Sequence, residues 1–357
     1  MKKIVLSLAA LLVSAMVSAS SFAATPGVDL AAIKAYAKKA LAKCPDSILT
    51  VDPVAQQGPA NFLVYEVNLK STDENCSTRK YLLYSPLTQQ VLIGTVFLLP
   101  QDARPVAARL EEQASGLLKE RVTASVGAFP LPDGLRTVSL TRGTEYGPFS
   151  YHGYIDASER FMLVATRGNL RTDPGTTLKE ALGVANAVHR GSAKGKTEII
   201  ELSDFECPTC GRAHKLVEPI IAKHLSTVDY KRLDLPLFEH HEWSVFAALG
   251  AHAIQKVAPS KYWDYVNFVF ANQETIGKQS FDKTLQNFCE DHDIPWAKIQ
   301  PLYRSNAERQ AIMDQVSRAF DNGINSTPTY IVNGQIMGFG REGSFVIGEI
   351  KKAVGEK

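Results

Sequence analysis

Apolar residues first recur at helical spacing in "DLAAIKAYAKKALAKC", where Leu30, Ile33, Ala37 and Leu41 share one face and Asp29 can cap the first turn. The period then changes. "FLVYEVNLK", "RKYLLYS" and "QQVLIGTVFLL" are short runs rich in Val, Leu, Tyr and Phe, separated by polar clusters such as Ser71 to Ser77, and they predict strands of an antiparallel sheet. Helical period returns from Pro105 in "PVAARLEEQASGLLKERV", and "LRTVSLT", "FSYHGYI" and "RFMLVAT" read as a second set of strands. Residues 24–190 are therefore expected to form an α+β region. One reading is a duplicated module, 24–103 and 104–190, because Tyr84 to Leu99 can be laid over Tyr154 to Asn169 with apolar positions in phase; two unrelated α+β units is the other.

"DPGTTLKEALGVANAVHRG" predicts a helix, and the small, charged "GSAKGK" after it reads as a linker, which puts a domain boundary near residues 190–196. Residues 191–357 then begin with "TEIIELSDF", a strand of the buried type, followed by a helix from about Cys207 to Leu225 and a strand in "VDYKRLDLPL". Helices are expected around Trp243 to Lys256, Tyr262 to Asn272, Phe281 to Asp291 and Asn306 to Asn322, an insertion of about 240–322. "TPTYIVNGQIMGF" reads as a hairpin turning at Asn333-Gly334, and a last helix starts from Glu342.

The extreme N-terminus has another character. Lys2 and Lys3 precede an apolar run, Ile4 to Val17, and Ser21-Phe22-Ala23 fits a small-x-small cleavage site, so residues 1–23 read as a secretory signal peptide. The run is shorter than the ~20 residues of a spanning helix, which predicts a released, soluble, periplasmic mature chain. Of 39 basic and 37 acidic residues, removal of Lys2 and Lys3 leaves 37 of each. A neutral chain argues against electrostatic capture of nucleic acid or an anionic membrane.

Five cysteines remain: Cys44, Cys76, Cys207, Cys210 and Cys289. An odd count in a secreted chain leaves at least one thiol unpaired or exchanging. Cys207-Pro208-Thr209-Cys210 lies where a strand gives way to a helix. A cysteine at a helix start meets unpaired N–H groups and the positive end of the helix dipole, which favour thiolate. Cys207 thus reads as the attacking thiol and Cys210, one turn on, as the resolving one, with Pro208 suited to the first turn. Half of a zinc site is a competing reading, its other ligands coming from His240 and His241 or from His214, and a structural staple is a third. Glu201, an acid inside a strand of the buried type, is a candidate proton carrier for Cys210, an exposed strand end being the alternative. His214 is expected to face solvent, and Cys289 to be a buried, inert thiol on the face of Phe281, Leu285 and Phe288.

From about residue 196 onward the chain resembles the periplasmic Dsb-type thiol:disulfide oxidoreductases, the DsbA-like branch of the thioredoxin superfamily. Cys207-Pro208-Thr209-Cys210 after a strand, Glu201 six residues earlier, "DLPLFEHH" and "GINSTPTYIVNG" carry the resemblance. It implies an α/β thioredoxin-like catalytic domain with a helical insertion, a cis Thr327–Pro328 bond against the active-site pair, and a structural role for His240 and His241. It calls for no metal and no cofactor. The backbone of Thr327 is then expected to pair with a substrate strand.

"YLLYSPLTQQVLIGTVFLLPQDARP" resembles the N-terminal module of the DsbC and DsbG isomerases, which implies dimerisation, substrate binding and a homo-oligomer. Thr327 before the proline fits the same branch. Disulfide isomerase or reductase activity on unfolded or misoxidised secreted proteins is the expected function, reset by a DsbB-like or DsbD-like membrane partner. A net oxidase of the DsbA type is the alternative, and a non-catalytic metal-handling or chaperone module is a rival of another class. Asp204 and Glu206 oppose thiolate formation if they point at Cys207, and Thr209 supplies no ring, so an intermediate redox potential is expected. Cys44 and Cys76 are the natural structural disulfide, since one ends the first helix and the other lies in a turn.

Overall fold

The computed structural model describes residues 29–54, 58–73, 76–339 and 343–356. The signal-peptide reading of residues 1–23 falls outside them. Helix α1 (Leu30–Ala40) starts where Asp29 Oδ1 accepts from Ala32 N at 3.0 Å. Strands β1 (Ile48–Pro53), β2 (Leu63–Lys70), β3 (Thr78–Tyr84) and β4 (Gln90–Leu98) follow. The pattern then repeats with α2 (Val106–Leu118), β5 (Val122–Val126), β6 (Arg136–Thr144), β7 (Gly147–Ile155) and β8 (Phe161–Asn169). All eight strands make one antiparallel sheet in the order β1-β2-β3-β4-β8-β7-β6-β5. Its middle is the β4–β8 ladder, in register from Gln90 opposite Asn169 to Leu98 opposite Phe161.

Alternation along β4 fixes where the helices go. Val91 and Ile93 point to α1 and its Ile33, Tyr36 and Ala37, and Phe97, on the same face, meets Leu110 of α2. Leu92 points the other way, into a cluster with Leu83, Leu163 and Leu135. Both helices therefore cover one face of the sheet.

The C-terminal half has a five-stranded sheet in the order β13-β12-β10-β11-β9. Helix α3 (Pro174–Ala181) leads to β9 (Val188–Gly191), β10 (Thr197–Ser203), α4 (Pro208–Lys223) and β11 (Val228–Asp234). Helices α5 (Ser244–Val257), α6 (Tyr262–Ala271), α7 (Phe281–Asp291), α8 (Trp296–Tyr303) and α9 (Asn306–Asp321) form the insertion. The chain returns with β12 (Thr329–Val332), β13 (Gln335–Met337) and α10 (Ser344–Val354). β10 and β11 are parallel, joined through α4, and β12 runs antiparallel to β10.

Residues 173–191 depart from the expected single helix. The helix stops at Ala181, Gly183 takes a φ of 68°, and Val188–Gly191 pairs antiparallel with β11. "GSAKGK" is consequently the turn between two strands of one sheet rather than a tether between bodies. The two halves are also tied together by backbone: Lys43 N donates to Ile336 O at 2.8 Å and Gly338 N to Lys43 O at 2.9 Å, so the segment after α1 lies along β13.

Candidate functional site

β10 delivers Cys207 to the start of α4. The strand ends at Ser203, Cys207 N donates to Asp204 O at 3.3 Å across the turn, and Cys207 occupies the N-cap with Pro208 in the first turn. Cys207 is 7% exposed and Cys210 is fully buried. The Asp204 amide donates to Cys210 Sγ at 3.5 Å, and Cys207 Sγ lies 3.6 Å from Thr327 O, to which its thiol donates. The Thr327–Pro328 bond is cis. The Thr327 hydroxyl is buried without a hydrogen-bond partner beside the thiol, which leaves it free to donate to the thiolate.

The two sulfurs differ in acidity. Cys207 is pushed down to about 6, chiefly because Cys210 donates a hydrogen bond to its thiolate, with burial acting against this and the Cys210 amide and Thr327 adding to it. Burial drives Cys210 well above the ordinary thiol value, and the Cys207 thiolate beside it adds to the rise. Cys207 is therefore the more acidic thiol of the pair and the buried Cys210 the less acidic one.

Glu201 is buried at 1% exposure in β10, not at an exposed strand end. Arg232, its register partner on β11, donates to Glu201 at 3.3 Å and to Asp234 at 3.1 Å, and the Tyr230 hydroxyl donates to Glu201 as well. The Arg232 guanidinium lies 4.4 Å from the Phe205 ring centre. Asp204, whose carboxylate opposes the Cys207 thiolate, accepts from three donors: Glu206 N at 2.8 Å, Leu237 N at 2.6 Å and His241 Nδ1 at 2.7 Å. Glu206 accepts from Trp243 N at 2.5 Å.

Two histidine expectations change. His214 does not face solvent: it is 8% exposed, stacks on Phe270 with ring centres 4.8 Å apart, and reaches Asn267 Oδ1 at 2.8 Å. His241, read as a scaffold residue, is bonded to Asp204 within the site. Sequence reasoning missed Arg232 and the His241–Asp204 pair. The signal for Arg232 was an arginine among the apolar positions of a strand parallel to the one carrying Glu201, but only the register reveals the pairing. Cys289 is buried in α7, and burial raises it to about 11. Cys44 and Cys76 are disulfide-bonded, far along the chain from the dithiol and packed against Gly338.

A model of the Thioredoxin family matches residues 184–345. The C-terminal half has the thioredoxin fold. The chain is similar to disulfide bond formation protein D of Bacillus subtilis, 24% identical over 153 residues that make 41% of this chain and 68% of that protein. It is also similar to Na(+)/H(+) antiporter NhaA 3 of Salinispora tropica, 26% identical over 146 residues. That match covers 41% of this chain but only 21% of the antiporter, so the chain spans about a fifth of such relatives. Among solved structures, a variant of alpha-DsbA1 from Wolbachia pipientis overlays with a TM-score of 0.43 and 18% identity, covering 50% of this chain and 96% of that one. Among the described residues no helix is long and apolar enough to cross a membrane.

Proposed function

We propose that the protein exchanges disulfides with unfolded or misoxidised secreted proteins in the periplasm, working as an isomerase and reductase through Cys207 and Cys210. The contrast between the two thiols carries this reading. The Cys207 thiolate attacks one sulfur of a client disulfide; a Cys207–client bond forms, and the other client sulfur leaves as a thiolate that takes up a proton. Isomerisation follows when a second client thiolate attacks this mixed disulfide and frees Cys207. Reduction follows when Cys210 loses its proton and attacks Cys207 Sγ: the Cys207–Cys210 disulfide forms, the client leaves reduced, and a DsbD-like membrane partner resets the pair. Glu201, fixed by Arg232 and Tyr230, is the proposed buried proton acceptor for Cys210. The Thr327 carbonyl beside Cys207 is the proposed backbone contact for an extended client.

A value of about 6 for Cys207 lies between the ~3.5 of the most oxidising dithiols and the ~7 of thioredoxin. It supports an intermediate potential near ~−180 mV. Residues up to about 172 are the proposed substrate-binding region and the remainder the catalytic domain. Equilibration with glutathione buffers, together with rescue of a scrambled multi-disulfide protein, tests the reading. A potential at the oxidising ~−120 mV end with no rescue overturns it. A net oxidase reset by a DsbB-like partner is the second reading, and one observation favours it: β4 pairs with β8 of its own chain, so the sheet offers no such edge for bringing a second dithiol over a shared cleft.

A further inference from the structure

Among the described residues, the β6–β7 hairpin of the N-terminal half enters the apolar core that contains the dithiol. β7 pairs with β8 only at Tyr154 and Ile155, and beyond that point the β6–β7 hairpin leaves the sheet. Its far end carries Tyr146 and Phe149 into the apolar core that also holds Cys207 and Cys210. Phe149 meets Phe238 edge-on at 5.3 Å between ring centres, and Tyr146 meets Phe238 at 6.0 Å and Phe246 at 5.9 Å. The Tyr146 hydroxyl donates to Glu242 O at 3.2 Å. Arg142, with its side chain 7% exposed, lies 5.7 Å from the Phe238 ring centre, pairs with Glu239, and reaches Glu120 at 2.8 Å.

The same stretch, Leu237 to Trp243, is held from its other side by the turn before Cys207. Leu237 N and His241 Nδ1 both donate to Asp204 Oδ2, and Trp243 N donates to Glu206. The loop that carries His241 is thus clamped between the redox turn and a hairpin of the other half of the molecule.

We propose that the β6–β7 hairpin is a positioning element of the redox site, gripping Phe238, Glu239 and Glu242 so that His241 stays bonded to Asp204 beside Cys207. The proposal rests on Cys207 being the attacking thiol. The groups acting on Cys207 are Asp204 from the turn, Cys210 from α4 and Thr327 from the cis-proline loop. His241 is acted on by Asp204, Cys207 and Glu206. A protonated His241 offsets the Asp204 carboxylate and favours the thiolate; a loosened loop takes that cation away and leaves the carboxylate uncompensated.

The test is a thiolate-absorbance titration of the reduced full-length protein. Tyr146→Phe removes the hydroxyl that bonds Glu242 O and also interacts with Glu145, Arg142→Gln removes the ion pairs with Glu239 and Glu120, and His241→Gln removes the cation itself. Each change is expected to raise the Cys207 midpoint and slow alkylation at about pH 6 several-fold, as thiolate reactivity requires. In the His241→Gln background the two hairpin changes should add nothing. Hairpin variants with an unchanged midpoint overturn the proposal, as does an unchanged His241→Gln midpoint or an Arg142→Gln effect that survives in the His241→Gln background. Tyr146→Phe keeps the ring in the core, so a folding failure of Arg142→Gln leaves the test intact. The titration reads a thiol and not an activity, so absence of disulfide exchange with an intact coupling would sink only the functional reading.

Discussion

At the scale of single residues, the site is a contrast between Cys207, which ionises early, and Cys210, which ionises late. Alkylation of the reduced protein should fall on Cys207, with a rate that is half-maximal at about pH 6. Cys207→Ser should abolish exchange, whereas Cys210→Ser should accumulate mixed disulfides through Cys207; predominant labelling of Cys210 would reverse the assignment. The same contrast makes stability depend on redox state and pH. Cys207 ionises at about 6 when folded and near ~8.5 when unfolded, so its contribution to the folded, reduced protein is complete above ~8.5 and lost as pH falls through about 6. Cys210 is raised, so the unfolded chain loses that proton first and stability falls again above ~8.5. Reduced minus oxidised unfolding free energy should therefore rise from about pH 6, peak near ~8.5 and decline beyond, and a flat profile in urea titrations would contradict both assignments. Beneath the dithiol, Arg232 offsets Glu201 where neither sees water. Removing one partner of a buried pair costs about 3–5 kcal/mol, so Arg232→Leu should destabilise by that much, and Glu201→Gln in the same chain should recover part of it.

Elements were legible where their periodicity was strong, and the misses have physical causes. β2, β3, β4, β6, β7, β8 and helices α5, α6, α7 and α9 of the insertion fall within a few residues of expectation because each has an apolar face to bury. β1 buries only Val51, and β5 only Val122, so neither alternation is visible in isolation. β9 is a strand because β11 has an edge to be paired, a tertiary fact that helix-favouring residues on its N-terminal side conceal. Helix α8 contains Pro301, which discourages a helical reading. At the dithiol the residues were legible and their partners were not: nothing in "VDYKRLDLPLFEHH" says which side chain reaches Glu201 and which reaches Asp204. Two element-scale changes are informative. Cys44 and Cys76 lie 32 residues apart, and closing such a loop stabilises by roughly 3–4 kcal/mol on the chain-entropy account. Replacing both with Ala should lower the unfolding free energy by about that amount, with chemical denaturation as the readout. Gly94 crosses β8 so closely that a Cβ would lie 2.1 Å from Val164 O. Gly94→Val should therefore break the central ladder, visible as early exchange of the β4 and β8 amides.

For the whole molecule, the central ladder has the geometry of two like units meeting edge to edge. Helix and four strands recur, with β3 and β4 answered about 70 residues later by β7 and β8. Every β4–β8 partner pair then obeys the antiparallel pairing that a twofold axis through Gly94 and Thr95 would impose on two identical strands. A chain holding both units fills that edge itself. The strands left outermost are β1, of six residues and ending at Pro53, and β5, of five, and short edges, the first ending in proline, resist further strand addition. We therefore expect a monomer, against the homo-oligomer that the resemblance to the DsbC and DsbG module implies. Light scattering of the purified protein should give a mass no greater than the 39.1 kDa of the full chain, independent of concentration. A stable species at twice that mass would require an interface outside the β4 edge. It would also restore the shared cleft on which the dimeric isomerase argument depends. A monomer that still rescues a scrambled substrate would show that one dithiol beside an eight-stranded sheet suffices.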